Sequence, residues 1–467
     1  MDHEIEIPKW LKKFASLNDS PLYIVGGYIR NALSGLPPSD IDVAGKPLPE
    51  TLRLPRGFYF ATTYKRMGTA LIRHRFNDKA EVEYTPFRTE EYAPGGGHVP
   101  VKVEFDADIS EDAKRRDFTV NSLYMDIGTG KIYDFFGGLR DIERRVMRAY
   151  DPDAVFSSDG LRLMRLIRIA AETGFGVDSA TADAAMRNAH LLADVTPNRK
   201  RDELLKMLHA DEAYGVEDAH YRALTMLRDY GMLKYVIPEL AELDGLAQNA
   251  AYHKYDALEH TFRVVRYSPP QVRLAALLHD VGKAECVRRN GNMHDHNVLG
   301  AEMAERILTD LKFPRKDVEH AVRLVLYHMY DKDRMTGDGK MLLFVAENAD
   351  IVDDLTELME ADTLGKGVPT ITPAPRLRAF LKRFHDSGAP RRPGEMKING
   401  ADLAAMGYSG DAISAELSEL YRTCVLEPSV NDHKRLTAIA RKHIGLPEEA
   451  PTSRRRRRRR RKKSEKA

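Results

Sequence analysis

Asp40 and Asp42, separated by Ile41 and preceded by the turn-forming run Pro37-Pro38-Ser39, place two carboxylates two positions apart. On a strand, residues i and i+2 face the same way, so both would converge on one point. Hard divalent cations such as Mg²⁺ take oxygen ligands placed like that, and phosphoryl transfer uses them to neutralise a triphosphate. The plainer alternative is a turn closed by Asp40 with Asp42 solvated. Just upstream, Gly26-Gly27 ends the apolar run Tyr23-Ile24-Val25, and Arg30 follows three residues later. Glycines let the backbone approach a phosphate, the first amides of a helix point at it, and Arg30 adds a charge-assisted contact. By itself a Gly-Gly pair is only a turn; the acidic strand behind it makes a triphosphate site the stronger reading. A third carboxylate is expected from a neighbouring strand. Glu83 in AEVEYTPFR is the first choice, and Glu81, on the same face by period 2, competes with it.

These groups need a scaffold. The first 150 residues mix short β-type runs (YIV, IDVA, TALIR, EVEYT, KIYDFF) with turns, which predicts a small α/β domain. From Asp151 onward the 3.6-residue period takes over, so a mostly α-helical body follows. A chain of 467 residues is too long for one ordinary core. The expected division is 1–150 as the α/β head, 151–215 as a helical neck, 216–365 as a helical body, 366–447 as a helical tail and 448–467 as a basic, disordered end. The boundary near 366 rests on the Pro- and Gly-rich stretch GKGVPTITPAP. Ser453 to Ala467 holds eight Arg, three Lys and one Glu, a net +10, so the rest of the chain is acidic at −8 although the whole is +2. Such a run buries no apolar surface and is read either as a solvated charge run or as a non-specific RNA contact. Two cysteines make neither a disulfide framework nor a metal cluster, and the N-terminus has no apolar leader. With no run of 18 apolar residues, no membrane span is expected and the cytoplasm is the default compartment.

Gly26-Gly27-x-x-Arg30 followed by Asp40-x-Asp42 resembles the head of the class II nucleotidyltransferases, the family of bacterial CCA-adding tRNA nucleotidyltransferases and poly(A) polymerases. The resemblance implies a polymerase-beta-like palm. RRDFTVN at 115–121 matches the family's next signature. It implies that Arg116, Asp117 and Asn121 contact the sugar and triphosphate. Asp134-x-x-Gly137-Gly138 resembles the turn that closes the head, a structural element.

In SDGLRLMRLIRIAAETGF (158–175), Leu163, Met164, Ile167, Ala170 and Ala171 share one apolar face of a helix, and Asp159, Arg162, Arg165 and Arg168 wind along the other. A salt-bridged amphipathic helix is the ordinary reading. The chemical one is sharper. An Asp acceptor beside an Arg donor complements the amino-plus-ring-nitrogen edge shared by cytosine and adenine, whereas guanine and uracil present a carbonyl to the Asp. Asp159 and Arg162 would then select C and A with protein alone as template. The family's element is Glu-Asp-x-x-Arg, with Ser158 here in place of Glu. NRKRDELLKML (198–208) resembles a family helix that supports this one, with Asn198 in place of Glu.

Further on, His260, His279-Asp280, His296, His328 and Asp362 lie on successive predicted helices. Imidazole and carboxylate are the usual ligands of a hydrolytic metal. The set resembles the HD phosphohydrolases, which implies His260, His279, Asp280 and Asp362 around a divalent transition metal, with His296 and His328 near a second ion or the phosphate.

Together these readings predict a Mg²⁺-dependent enzyme adding CCA to the tRNA 3′ end from CTP and ATP, as a monomer or dimer. Asn31, Ser158 and Asn198 depart from the family pattern, and APGGGHVP (93–100) lacks the arginine of the family's mobile loop. Poly(A) synthesis or partial CC- or A-addition is therefore the alternative within the class. A metal phosphohydrolase acting on RNA ends, or a non-enzymatic RNA-binding protein, are the alternatives outside it.

Overall fold

The computed structural model describes residues 5–64, 66–92 and 100–447. The glycine-rich loop, save Pro100, and the poly-arginine end lie outside them. The chain forms two compact units: residues up to Leu326 together with Ala361–Thr370, and Tyr327–Glu360 together with Ile371 onward.

The first unit opens with α1 (Lys9–Ser16), β1 (Leu22–Val25), α2 (Gly27–Ser34) and β2 (Asp42–Gly45). Then come β3 (Phe58–Tyr64), β4 (Thr69–His74), β5 (Asn77–Pro86), the hairpin β6 (Thr89–Glu91) and β7 (Lys102–Glu104), α3 (Ile109–Lys114), β8 (Leu123–Asp126) and β9 (Ile132–Asp134). Seven of these strands form one sheet in the order β3-β4-β5-β2-β1-β8-β9. β2 runs antiparallel to β1 and parallel to β5, so a hairpin core is widened by one crossover. One face buries Ile24, Val43, Ile72, Val82 and the fully buried Tyr84. The other face buries Val25, Ala44 and Tyr124 against Ala107 and Ala113 at α3. α3 is held by a capping box: Asp108 accepts the Ser110 and Glu111 amides and the Glu111 side chain accepts the Asp108 amide. That cap sets where Arg115 and Arg116 emerge. Asp134 accepts amide hydrogens from Phe136, Gly137, Gly138 and Leu139 and so organises the entry to α4 (Gly138–Glu143).

The body is helical, as the periodicity predicts. α5 (Pro152–Ser158), α6 (Leu161–Thr173), α7 (Ser179–Arg187) and α8 (Pro197–Leu208) come first. Helix Ala257–Tyr267 carries His260, the turn between Arg273–Leu278 and Lys283–Asn290 carries His279 and Asp280, and His296 starts His296–Asp310. Where the 3.6-residue period over 341–362 predicts one helix, the chain forms two, Asp338–Glu347 and Val352–Gly365. The break falls at Asn348, whose side chain bonds back to the Phe344 carbonyl in a non-helical C-cap. In the second unit, Arg376 reaches the buried Asp331 at 2.7 Å, and an Asn399/Asp402 capping box starts Gly400–Ala405.

Candidate functional site

The Gly26 backbone has φ +77°, a left-handed conformation that glycine adopts without penalty. A methyl group there would sit 3.3 Å from the Asp42 Oδ2. The turn therefore lies directly over the carboxylate that starts β2. Asp42 stands opposite Val25 on one side and opposite Glu83 on the other. Residues paired in register share a face, so Asp42 and Glu83 project together. Glu81 is ion-paired with Arg73, which favours Glu83 as the third carboxylate. Asp40 lies just ahead of β2 rather than within it. Burial, then Glu83, and then Asp40 push the Asp42 carboxyl up to about 6, against the pull of Arg116 and Arg165. Asp42 and Glu83, paired in register, with Asp40 just ahead of β2, offer carboxylate oxygens of the kind a hard divalent cation takes.

A hydrogen-bonded chain runs from the Pro37 turn through α2 into the helices. Arg165 on α6 donates to Asp117 Oδ2 through Nε at 2.9 Å and Nη2 at 2.6 Å. Asn121 Nδ2 donates to Asp117 Oδ1 at 3.0 Å, and Arg30 Nη1 donates to Asn121 Oδ1 at 2.7 Å. Arg30 also donates to Asn31 Oδ1 from Nε at 3.0 Å and Nη2 at 2.8 Å, and Asn31 Nδ2 donates to the Pro37 carbonyl at 2.8 Å. Against the cost of burial, Arg165 holds the Asp117 carboxyl well below the usual carboxylate range. Asn31, the departure inside the first motif, thus ties the glycine-turn helix to the Pro37-Pro38 turn that delivers Asp40. Arg30 is only 4% exposed, an arrangement that orients the turn. Arg116 donates to the Tyr124 hydroxyl at 2.7 Å and faces Asp112 at 3.5 Å.

α5 stops at Ser158 and α6 starts at Leu161, so Asp159 sits between helices in extended backbone, φ −155° and ψ 108°. Its Oδ1 caps α6 by accepting the Leu161 amide at 3.0 Å. Its side-chain partner is Arg199 at the start of α8, which donates from Nη1 to Oδ1 at 3.0 Å and from Nη2 to Oδ2 at 2.7 Å. Arg162 donates to Ser158 Oγ at 2.8 Å and to the Arg115 carbonyl at 2.6 Å. Asp159 and Arg162 thus flank one region, each held by a different neighbour rather than by each other. Arg168 is committed to Glu172 at 2.8 Å and Glu203 at 2.6 Å. Sequence reasoning missed Arg199, although the segment containing it was read as support. It also missed Tyr214, whose hydroxyl accepts from Arg30 Nη2 at 3.3 Å and which no motif marks.

The histidine cluster is a second, separate arrangement. His260 Nε2 lies 3.1 Å from Asp362 Oδ1 and 3.4 Å from Asp280 Oδ2, and His279 Nε2 lies 3.2 Å from Asp280 Oδ2. Nδ1 of His279 is 2.8 Å from the Ala276 carbonyl, a contact that fixes the tautomer with the Nε2 lone pair turned inward. His260 Nδ1 is buried with no hydrogen-bond partner. His279 and Lys283, opposing burial, hold Asp280 well below the usual carboxylate range, and His260 and Lys366 do the same for Asp362. His296 Nε2 approaches Asp280 Oδ1 at 3.2 Å. His328 is buried and belongs to the other compact unit. His253, absent from the sequence reading, packs edge-to-face on His260 with ring centroids 4.8 Å apart. The donor set fits a transition metal.

Family models match along the chain in the same order: "Poly A polymerase head domain" over 22–148, "Probable RNA and SrmB- binding site of polymerase A" over 174–243 and "HD domain" over 257–364. The CC-adding tRNA nucleotidyltransferase of Thermus thermophilus is 32% identical over 363 residues, 73% of this chain and 75% of the relative. The A-adding tRNA nucleotidyltransferase of Deinococcus radiodurans is 33% identical over 54% of this chain and 60% of the relative. The CCA-adding enzyme of Geobacillus stearothermophilus is 29% identical over 89% of this chain and 91% of its own length. Among solved structures, the Bacillus stearothermophilus CCA-adding enzyme in complex with CTP superposes with a TM-score of 0.66 at 24% identity, covering 93% of this chain and 97% of that one. At that identity the superposition speaks for the fold.

Proposed function

The chain belongs to the tRNA nucleotidyltransferase family, and from that premise we propose that it adds C, C and A to the 3′ end of tRNA from CTP and ATP, without a nucleic-acid template and with release of pyrophosphate. The observation that carries the reading is the Asp42–Glu83 register beneath the Gly26 turn, joined by one hydrogen-bonded chain to α6. The 3′ hydroxyl of the RNA attacks the α-phosphate in line. Asp40, Asp42 and Glu83 would hold Mg²⁺, which when bound neutralises the triphosphate and lowers the pKa of that hydroxyl. The Gly26-Gly27 turn and the first amides of α2 face the triphosphate, Arg30 orients that turn from beneath, and Arg116 and Arg165 supply positive charge. Asp117 and Asn121 set the geometry between the turn and α6 and address the sugar. Asp159 accepts from the base amino group and Arg162 donates to its ring nitrogen. Arg168 keeps α6 packed on α8. No helix among the described residues is long and apolar enough to cross a membrane.

The test is to offer tRNA lacking its CCA end with labelled CTP, ATP or both. The expected result is two C additions with CTP alone and a single further A when ATP is present. Addition that stops at CC, or ATP-only elongation of any RNA, would replace this reading with its alternatives.

The histidine cluster supports an accessory metal-dependent phosphohydrolase activity on RNA ends, carried by the buried His260, His279 and Asp362 group. Mn²⁺ or Ni²⁺ is expected to raise Tm, since an ion that binds only the folded state stabilises it. His260→Ala should remove that rise while leaving nucleotide transfer intact. An equal rise in both proteins would refute a metal at these residues.

A further inference from the structure

The sheet face that carries Asp42 and Glu83 is unequally covered. On the β1 and β8 side it lies under α3, whose Ala113 packs on Val25, Ala44 and Tyr124. The nucleotide-facing groups Arg116 and Asp117 emerge directly from that cover. On the β5, β4 and β3 side the register continues outward. Asp42 pairs with Glu83, Glu83 with Leu71, and Leu71 with Thr62 on the edge strand. One step along, Glu81 pairs with Arg73 and Arg73 with Tyr59. Adjacent strands stand about 4.8 Å apart, so Leu71 and Arg73 are the next surface beyond the carboxylates. Among the described residues this side is open: Glu83, Arg73 and Thr62 are exposed, and Tyr59 and Tyr64 are 40% and 60% exposed. The Arg75 guanidinium lies over the Tyr59 ring, 6.0 Å from its centroid.

An attacking 3′ hydroxyl must reach Asp42 and Glu83 from a side that the incoming nucleotide does not occupy. The covered side holds the groups that face the nucleotide, which leaves the bare side for the RNA. We propose that the face of β4 and β3 beside Glu83 seats the last unpaired nucleotides of the acceptor RNA, with a base stacked on Tyr59 and the adjoining phosphates near Arg73 and Arg75. The occupant is single-stranded nucleic acid, because the surface joins an exposed aromatic ring and guanidiniums to the catalytic register itself. Stacking on an aromatic ring is tolerant of sequence, as a surface must be if it is to accept every tRNA end and then each newly added C. The proposal rests on the nucleotide-transfer reading above.

Two measurements test it. With tRNA lacking CCA and with CTP, Tyr59→Ala is expected to raise KM for the RNA by at least about fivefold, the low end of base-on-aromatic stacking. KM for CTP should stay within about twofold. Tyr59→Phe, which keeps the ring, should restore the RNA KM. A truncated tRNA carrying 4-thiouridine at its last position should cross-link to the peptide spanning β3 and β4. Cross-linking elsewhere, or an unchanged RNA KM in a folded Tyr59→Ala protein, overturns the seat. A change in sedimenting mass with no change in RNA KM overturns it in favour of a second copy pairing on the edge strand. Wild-type protein that extends no truncated tRNA sinks the transfer reading instead, so the two failures are told apart.

Discussion

Asp42→Asn is expected to lower nucleotide transfer by about 10³-fold or more while making the metal-free protein more stable. The two effects have one origin. Asp42 is pressed between the Gly26 turn and Glu83, and burial followed by its acidic neighbours raises its carboxyl to about 6. In the unfolded chain the same group titrates near 4. The native state therefore holds a proton that the unfolded state has lost between about pH 4 and 6, and stability falls as pH rises through that window. Above it the native protein keeps an ionised carboxylate at a cost of up to about 3 kcal/mol, two pKa units' worth. Asparagine cannot ionise, so the variant should have the higher Tm at pH 7 to 8 and lose that advantage below pH 4. Mg²⁺ should close the gap by stabilising the wild type alone. Thermal melts at three pH values, with and without Mg²⁺, check this alongside the transfer assay. A variant that is both less active and less stable at pH 7 would mark Asp42 as structural.

How much of this was legible beforehand depended on whether a residue's role was local. The α/β head followed by helices could be read because strand runs and the 3.6-residue period are properties of contiguous sequence. Asp42 stands out as a candidate because a turn, a glycine pair and an acidic strand lie close together in the sequence. Choosing Glu83 over Glu81 could not be read from period 2, which puts both on one face. The choice needed the β2–β5 register and the Arg73 partner that occupies Glu81. Asn31 looked like a flaw in the first motif; its bonds to Arg30 and Pro37 show an amide serving as both acceptor and donor, a use visible only once the turn is folded. Helical spacing set Asp159 beside Arg162, but Asp159 stands in extended backbone ahead of α6, where its side chain accepts the Leu161 amide. The true partner, Arg199, is 40 residues away. Long-range ion pairs leave no periodic trace in one sequence.

That pairing carries the second large effect. Asp159→Asn is expected to cut the preference for CTP over UTP by at least about 10²-fold, because sites that hydrogen-bond a substrate reject the mismatched analogue by more than size alone allows. An ionised carboxylate only accepts hydrogen bonds, so it suits the cytosine amino group and repels the uracil carbonyl. Arg199 enforces this by gripping both oxygens, a bidentate hold that keeps the carboxylate aimed. Asparagine offers a donor where the carboxylate offered none, so uracil gains a partner. Arg199→Ala leaves the carboxylate in place but frees it to turn, and should relax selection less, with Arg199→Lys in between. Arg168→Ala is the contrast. It strips Glu172 of Arg168 and leaves Glu203 with Lys206 alone at 3.6 Å, both carboxylates being buried, so it should destabilise the fold by about 3 kcal/mol with nucleotide preference unchanged. Competition between labelled CTP and UTP on the same tRNA measures each ratio. Should Asp159→Asn slow both nucleotides equally, selection of the base would have to lie outside Asp159, and Arg199 would be holding a helix junction rather than a reader.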